Sequence, residues 1–93
     1  MNDALMLTVL KQDLEILHSE KDDYLQVLIE TALEEIQREG VALNEEKYAD
    51  NALVASYAAW LYRKRGANDT EMPRFLRYAL NNRLFSQKAG AGE

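Results

Sequence analysis

The sequence predicts an all-α protein: a small bundle of about four helices with a long central pair. Apolar residues recur at spacings of three and four, and no segment alternates with period two for long enough to form a strand. Breakers are sparse and spread out, with one Pro (Pro73) and four Gly (Gly40, Gly66, Gly90, Gly92) in 93 residues. Residues 1–88 read as one helical domain and 89–93 as a small, flexible C-terminal tail. A domain of this size buries only about 60–65% of its unfolded surface, so its stability margin is thin and neighbours can contribute to it.

The first helix is expected from about Asp3 to Leu17, with Leu7, Leu10, Leu14 and Leu17 on one stripe. Ser19 and Asp22 match the capping pattern [ST]-x-x-[DE] and would open a second helix, Glu20 to Glu39. Its core stripe is Leu25, Leu28, Ile29, Ala32, Leu33 and Ile36, and Gly40 supplies the left-handed residue that ends it. Val41 and Leu43 are expected to fold back onto the core. Asn44 is a reasonable N-cap for a third helix over Glu45 to Arg65, with Glu45 and Glu46 favourable in its first turn. Arg63, Lys64 and Arg65 complement the dipole at its end and Gly66 closes it. After a polar loop, Ala67 to Met72, Pro73 takes the first position of a fourth helix carrying Leu76, Ala79, Leu80 and Leu84 and fading near Gln87.

The third helix differs from the others. Ala52, Ala55, Ser56 and Ala59 keep it narrow, while Tyr57, Trp60, Leu61 and Tyr62 cover several sides, so it should be buried in the domain or against another subunit. Trp60 is expected in the core. Seven of the eight aromatic residues fall between Tyr48 and Phe85. So small a domain cannot enclose them all, and Tyr and Trp are common interface anchors.

The net charge is −5, distributed unevenly: residues 1–50 hold 13 acids and 4 bases (−9), residues 51–93 hold 3 acids and 7 bases (+4). That asymmetry suits a chain with electrically opposite faces, although bases near helix C-termini would account for part of it. The longest uncharged stretch, Asn51 to Tyr62, has 12 residues, against about 20 needed to span a bilayer. With no leader-like start at Met1, the chain reads as cytoplasmic. There is no Cys, one His and three Ser, so disulfides, thiolate metal sites and most nucleophilic chemistry are out of reach.

Glu15-Ile16-Leu17-His18 is one Glu-x-x-His step, the local unit of di-iron bundles. A full site needs two such steps plus two further Glu, which this chain could reach only as a symmetric dimer. His18 at a helix end suits the dipole equally well. The acid pairs Asp22-Asp23, Glu34-Glu35 and Glu45-Glu46 read as solvated helix faces, with Glu34 and Arg38 spaced for a surface pair. No phosphate loop, dinucleotide fingerprint or nucleophile elbow occurs. No enzyme activity, catalytic residue, metal site or cofactor is expected. Arg63, Lys64, Arg65, Arg74, Arg77 and Arg83, interleaved with Tyr62 and Tyr78, could hold phosphates. A helix-turn-helix is disfavoured, because the third helix is too apolar and no tight turn precedes the fourth.

Two segments are informative together: Ala58-Ala59-Trp60-Leu61-Tyr62-Arg63-Lys64-Arg65, and Met72-Pro73-Arg74-Phe75-Leu76-Arg77-Tyr78-Ala79-Leu80-Asn81-Asn82-Arg83-Leu84-Phe85. They resemble the head–tail connector (adaptor) proteins of long-tailed phages and prophages. Leu7-Thr8-Val9-Leu10-Lys11, the acidic break at Asp22-Asp23 and the long acidic helix are similar in layout, so the resemblance covers about residues 5–88. It implies a structural role in virion assembly: a homo-oligomeric ring beneath the portal protein, joining the DNA-filled head to the next neck or tail protein. DNA would pass through the ring without sequence recognition, and the protein would occupy the host cytoplasm during assembly and then the virion neck. In that picture Arg83 to Lys88 docks on the portal, although the tail after Phe85 is short. Tyr62, Arg63, Arg65, Arg83 and Phe85 are the candidate subunit or portal contacts. The alternative is a small helical DNA-binding or DNA-packaging protein, similar to a terminase small subunit. The basic cluster supports it, and net acidity and the apolar third helix oppose it.

Overall fold

The computed structural model describes residues 2–65 and 71–91. It contains four helices, α1 (Asp3–Leu14), α2 (Asp22–Arg38), α3 (Tyr48–Lys64) and α4 (Arg74–Ala91), and no strand among the described residues. The all-α bundle read from periodicity is the observed architecture. α2, α3 and α4 have 17, 17 and 18 residues, so length does not set a central pair apart.

α1 begins where Asn2 accepts the Leu5 N–H on Oδ1 at 3.1 Å. It stops at Leu14, a turn short of the expected Leu17, because Glu15 turns left-handed at φ 58°. Ile16 N–H then donates to the Lys11 carbonyl (2.9 Å) and Glu15 N–H to Gln12 (3.3 Å), which together make a Schellman closure. Ile16 packs on the core, whereas Leu17, expected on the buried stripe, is 97% exposed.

α2 starts at Asp22, and the Ser19 capping box does not form: Lys21 stands at the N-cap without a side-chain bond. Ser19 contributes its carbonyl, which accepts from Asp22 N–H at 3.2 Å. The Asp22 carboxylate is taken by Lys11 Nζ at 2.8 Å, so it does not reach back to the chain. At the other end the expectation holds in detail. Gly40 (φ 99°) occupies the left-handed position, Gly40 N–H donates to Gln37 and Val41 N–H to Ile36. Val41 is buried and Leu43 half-buried.

α3 begins at Tyr48, not Glu45, because Asn44 makes a turn of its own. Its Oδ1 accepts the Glu46 N–H (2.9 Å) and its carbonyl accepts the Lys47 N–H (3.0 Å). Gly66, expected to close α3, and residues 67–70 of the following loop lie outside the described residues. Pro73 sits just ahead of α4, its carbonyl accepting from the N–H groups of Leu76 and Arg77 at 3.1 Å. α4 continues through Ala91, past the expected end near Gln87; residues 92–93 of the tail lie outside the described residues.

α3 is the hub. α1 and α2 pack on it along most of its length and on each other, and α4 crosses its N-terminal half through a narrower contact. Pairing of Asn2 with Asn51 and of Asp13 with Arg63 makes α1 and α3 run in the same sense. The core is built from Met6 and Leu10 on α1, Leu25, Ile29 and Ile36 on α2, Val54 and Ala58 on α3, and Leu76 and Leu80 on α4. Almost every side of α3 is covered, as its all-round apolarity requires. Trp60 lies at the margin of the core, edge-on to Tyr57 (5.3 Å between centroids) and under Lys64, whose Nζ is 4.4 Å from its ring. No helix among the described residues is long and apolar enough to cross a membrane.

The left-handed Glu15 yields a prediction. A Cβ in that conformation costs roughly 1–2 kcal/mol, and Gly returns part of this through backbone entropy. Glu15→Gly is expected to raise unfolding free energy by about 0.5–1 kcal/mol in urea titrations.

Candidate functional site

Two groups of polar side chains occupy opposite ends of α3. At its N-terminus, Asp50 is 1% exposed yet carries a carboxylate. Arg83 of α4 holds it with two parallel bonds: Nη1 to Oδ1, and Nη2 to Oδ2 at 3.0 Å. The second oxygen also accepts the Asn44 N–H at 2.7 Å. Arg83 Nη2 reaches the Ala42 carbonyl (3.2 Å). One turn on, Gln87 accepts the Ala42 N–H (2.7 Å) and donates to the Gly40 carbonyl (2.9 Å). The i, i+4 pair Arg83 and Gln87 therefore clamps α4 to the α2–α3 connection, and Arg77 adds a more exposed pair with Glu39 at 3.0 Å. The Arg83 hydrogen bond holds the Asp50 carboxyl below its ordinary value against the opposing effect of burial, and the Asn44 N–H lowers it further. The same bond raises Arg83.

Beside it, buried Asn51 donates from Nδ2 to the carbonyls of Glu45 and Lys47 (2.9 Å each) and accepts the Asn2 N–H on Oδ1 (3.1 Å). Asp50 and Asn51 went unassigned in the sequence. Their signal is two adjacent polar residues in the first turn of a helix whose middle is largely apolar.

At the C-terminus of α3, Tyr62 OH accepts from Lys21 Nζ at 2.8 Å, and the Arg65 guanidinium stacks 4.0 Å from its ring centroid. Those two cations, Lys21 first, lower the Tyr62 phenol. Arg63 pairs with the Asp13 carboxylate at 3.0 Å and donates to the Asp13 carbonyl at 3.2 Å. At mid-helix, burial and then a hydrogen bond to Glu35 push the Tyr57 phenol upward, so it stays protonated.

The five candidate contacts are therefore not one patch. Tyr62, Arg63 and Arg65 share the C-terminal end of α3, while Arg83 engages its N-terminal end, roughly 18 Å away along the axis at 1.5 Å per residue. Arg83 points into the chain. Phe85 is 78% exposed, and with Phe75 and Tyr78 it forms an aromatic stripe on α4 opposite Leu76, Leu80 and Leu84. Phe75 and Tyr78 carry the same signal as Phe85, three residues apart and in helical register with it, yet were not singled out as contacts.

Glu15 and His18 do not make a helical Glu-x-x-His step, since Glu15 is the left-handed residue after α1 and His18 lies beyond it. Among the described residues, no cluster of three or more His, Asp or Glu could hold a metal ion. The expected Glu34–Arg38 pair is not formed.

These features define the class: an all-α bundle whose last helix buries one side in the domain and presents aromatic rings on the other. No family model, curated protein or solved structure matches the chain.

The two members of the buried pair are unequal. Removing Arg83 leaves, without its cation, a carboxylate that is 1% exposed in the intact pair, whereas removing the Asp50 charge leaves a guanidinium that is 31% exposed. Arg83→Ala is expected to cost about 3–5 kcal/mol and Asp50→Asn about 1–3 kcal/mol, measured by urea denaturation.

Because the folded carboxyl titrates below its ordinary 3.8, the pair's contribution is complete at neutral pH. It is lost as pH falls through 3.8 toward the folded value. Stability measured against pH should lose that acid slope in Asp50→Asn.

Proposed function

We propose that the protein is a non-enzymatic head–tail connector of a long-tailed phage or prophage, a subunit of a ring beneath the portal. The observation that carries this reading is the outer side of α4. Phe75, Tyr78 and Phe85 stand 64, 61 and 78% exposed within the segment Met72–Phe85 that resembles the connector family. α4 has already buried Leu76 and Leu80 in its own domain, and among the described residues three aromatic rings in register on its far side stay largely in water. Such a stripe is characteristic of a protein-binding surface.

The DNA-packaging reading draws on six bases. Arg63, Arg77 and Arg83 are paired with Asp13, Glu39 and Asp50, which leaves fewer cations for phosphates and favours the connector.

Mixed with tail-less heads that contain portal protein, the purified protein is expected to co-sediment with them, and heads assembled without it should fail to join tails. If it ignores the portal and such heads still acquire tails, the reading is wrong. A salt-dependent shift of duplex DNA at physiological ionic strength would instead support packaging.

A further inference from the structure

We infer that the aromatic side of α4 docks on the outer side of α2 of a second copy of this chain, giving a head-to-tail contact that repeats from subunit to subunit. This deepens the connector reading by naming the joining faces, and rests on that reading only for its place in a ring.

The two faces differ and match. On α4, Phe75, Tyr78 and Phe85 are flanked by Arg74 and Lys88, which pair with no acid among the described residues, and Arg74–Ala91 contains no acidic residue at all. On α2, the side turned away from Leu25, Ile29 and Ile36 exposes Val27 (54%) and, at its margin, Tyr24 (42%), whose ring leans on Tyr62 at 6.3 Å between centroids. Asp23, Glu30 and Glu34 surround them, exposed and without an ion pair among the described residues; Arg38, in the last turn, is the base on that side. Each face thus has an apolar centre and a charged rim, and the rims are of opposite sign.

Pairing α4 with α4 would set Arg74 and Lys88 against their own copies, and pairing α2 with α2 would oppose carboxylates. Like-charge juxtaposition disfavours both symmetric dimers. Because the mating faces are different surfaces of one chain, the contact is heterologous and propagates. The exposed apolar rows are short, about 15 Å from Phe75 to Phe85 at 1.5 Å per residue. The association is accordingly weak and is weakened further by salt, which screens exposed rims.

The chain lacks Cys, so single thiols report on this contact directly. Asn82→Cys lies on the α4 stripe, Thr31→Cys on the outer side of α2, and Thr8→Cys, exposed on α1, is the control. Each is treated in concentrated solution with a short bis-maleimide, one member of each mixture carrying a size tag. The Asn82→Cys and Thr31→Cys mixture is expected to cross-link at least about tenfold faster than either variant alone or any mixture with Thr8→Cys. The double variant should give a ladder of oligomers, and added salt should slow both.

Homotypic products that equal or exceed the mixed product, or a mixed rate no higher than the Thr8→Cys control, would overturn the inference. If cross-linking fails while the protein still binds portal-containing heads, only this interface falls. If cross-linking succeeds and heads are ignored, the connector reading falls and the interface stands.

Discussion

A buried carboxylate sets the terms for the rest of the molecule. Asp50 sits at the start of α3 with 1% of its surface in water, where an unpaired charge would be prohibitively costly. The chain supplies one cation and one backbone N–H to it, from Arg83 and Asn44. Because those partners come from α4 and from the α2–α3 turn, satisfying one side chain fixes the positions of two other elements. Gln87, a turn beyond Arg83, repeats the device on Gly40 and Ala42. α4 has the narrower packing contact with the bundle, and this polar clamp fixes its position alongside the fully buried Leu76 and Leu80.

Once α4 is held through Arg83, Gln87, Leu76 and Leu80, its opposite side necessarily faces solvent, and that side carries Phe75, Tyr78 and Phe85. Structure and proposed function are linked at this step. The inner side secures the helix to the domain, and the exposed outer side is the one proposed to meet a partner. The C-terminal end of α3 works differently. Lys21, Tyr62 and Arg65 form a surface cation–aromatic cluster, while Arg63 ties α3 to the end of α1 through Asp13. Half of the basic cluster seen in the sequence is thereby engaged in holding the bundle together.

The helical layout was legible because its determinants are local. The stripe Leu25, Ile29, Ala32 and Ile36 and the left-handed Gly40 follow from spacing and backbone freedom, and both appear as expected. The departures come mostly from competition for polar groups, some of it distant and some local. Asp22 could not complete the Ser19 capping box because Lys11, eleven residues back, takes its carboxylate. Asn44 did not cap α3 because its side chain closes its own turn and its N–H goes to Asp50. The pairing of Arg83 with Asp50 is not legible in the sequence because the two lie 33 positions apart. Glu15 at φ 58° could not be anticipated, since that conformation is rare outside Gly, Asn and Asp. Of the candidate contacts, Phe85 stands 78% exposed in the structure. Phe75 and Tyr78 needed only the helical register to join it.

The Arg83–Asp50 pair, together with the burial of Leu76 and Leu80, holds α4 against the bundle, and the pair fixes its seat on the α2–α3 turn. Native-state hydrogen exchange on Arg83→Lys, which keeps the charge but loses the two-pronged geometry, tests it most directly. Selective loss of protection in α4 and in residues 40–47, with α1, α2 and the C-terminal half of α3 unchanged, is the predicted result. Unchanged α4 protection, or an equal loss in all four helices, would contradict it.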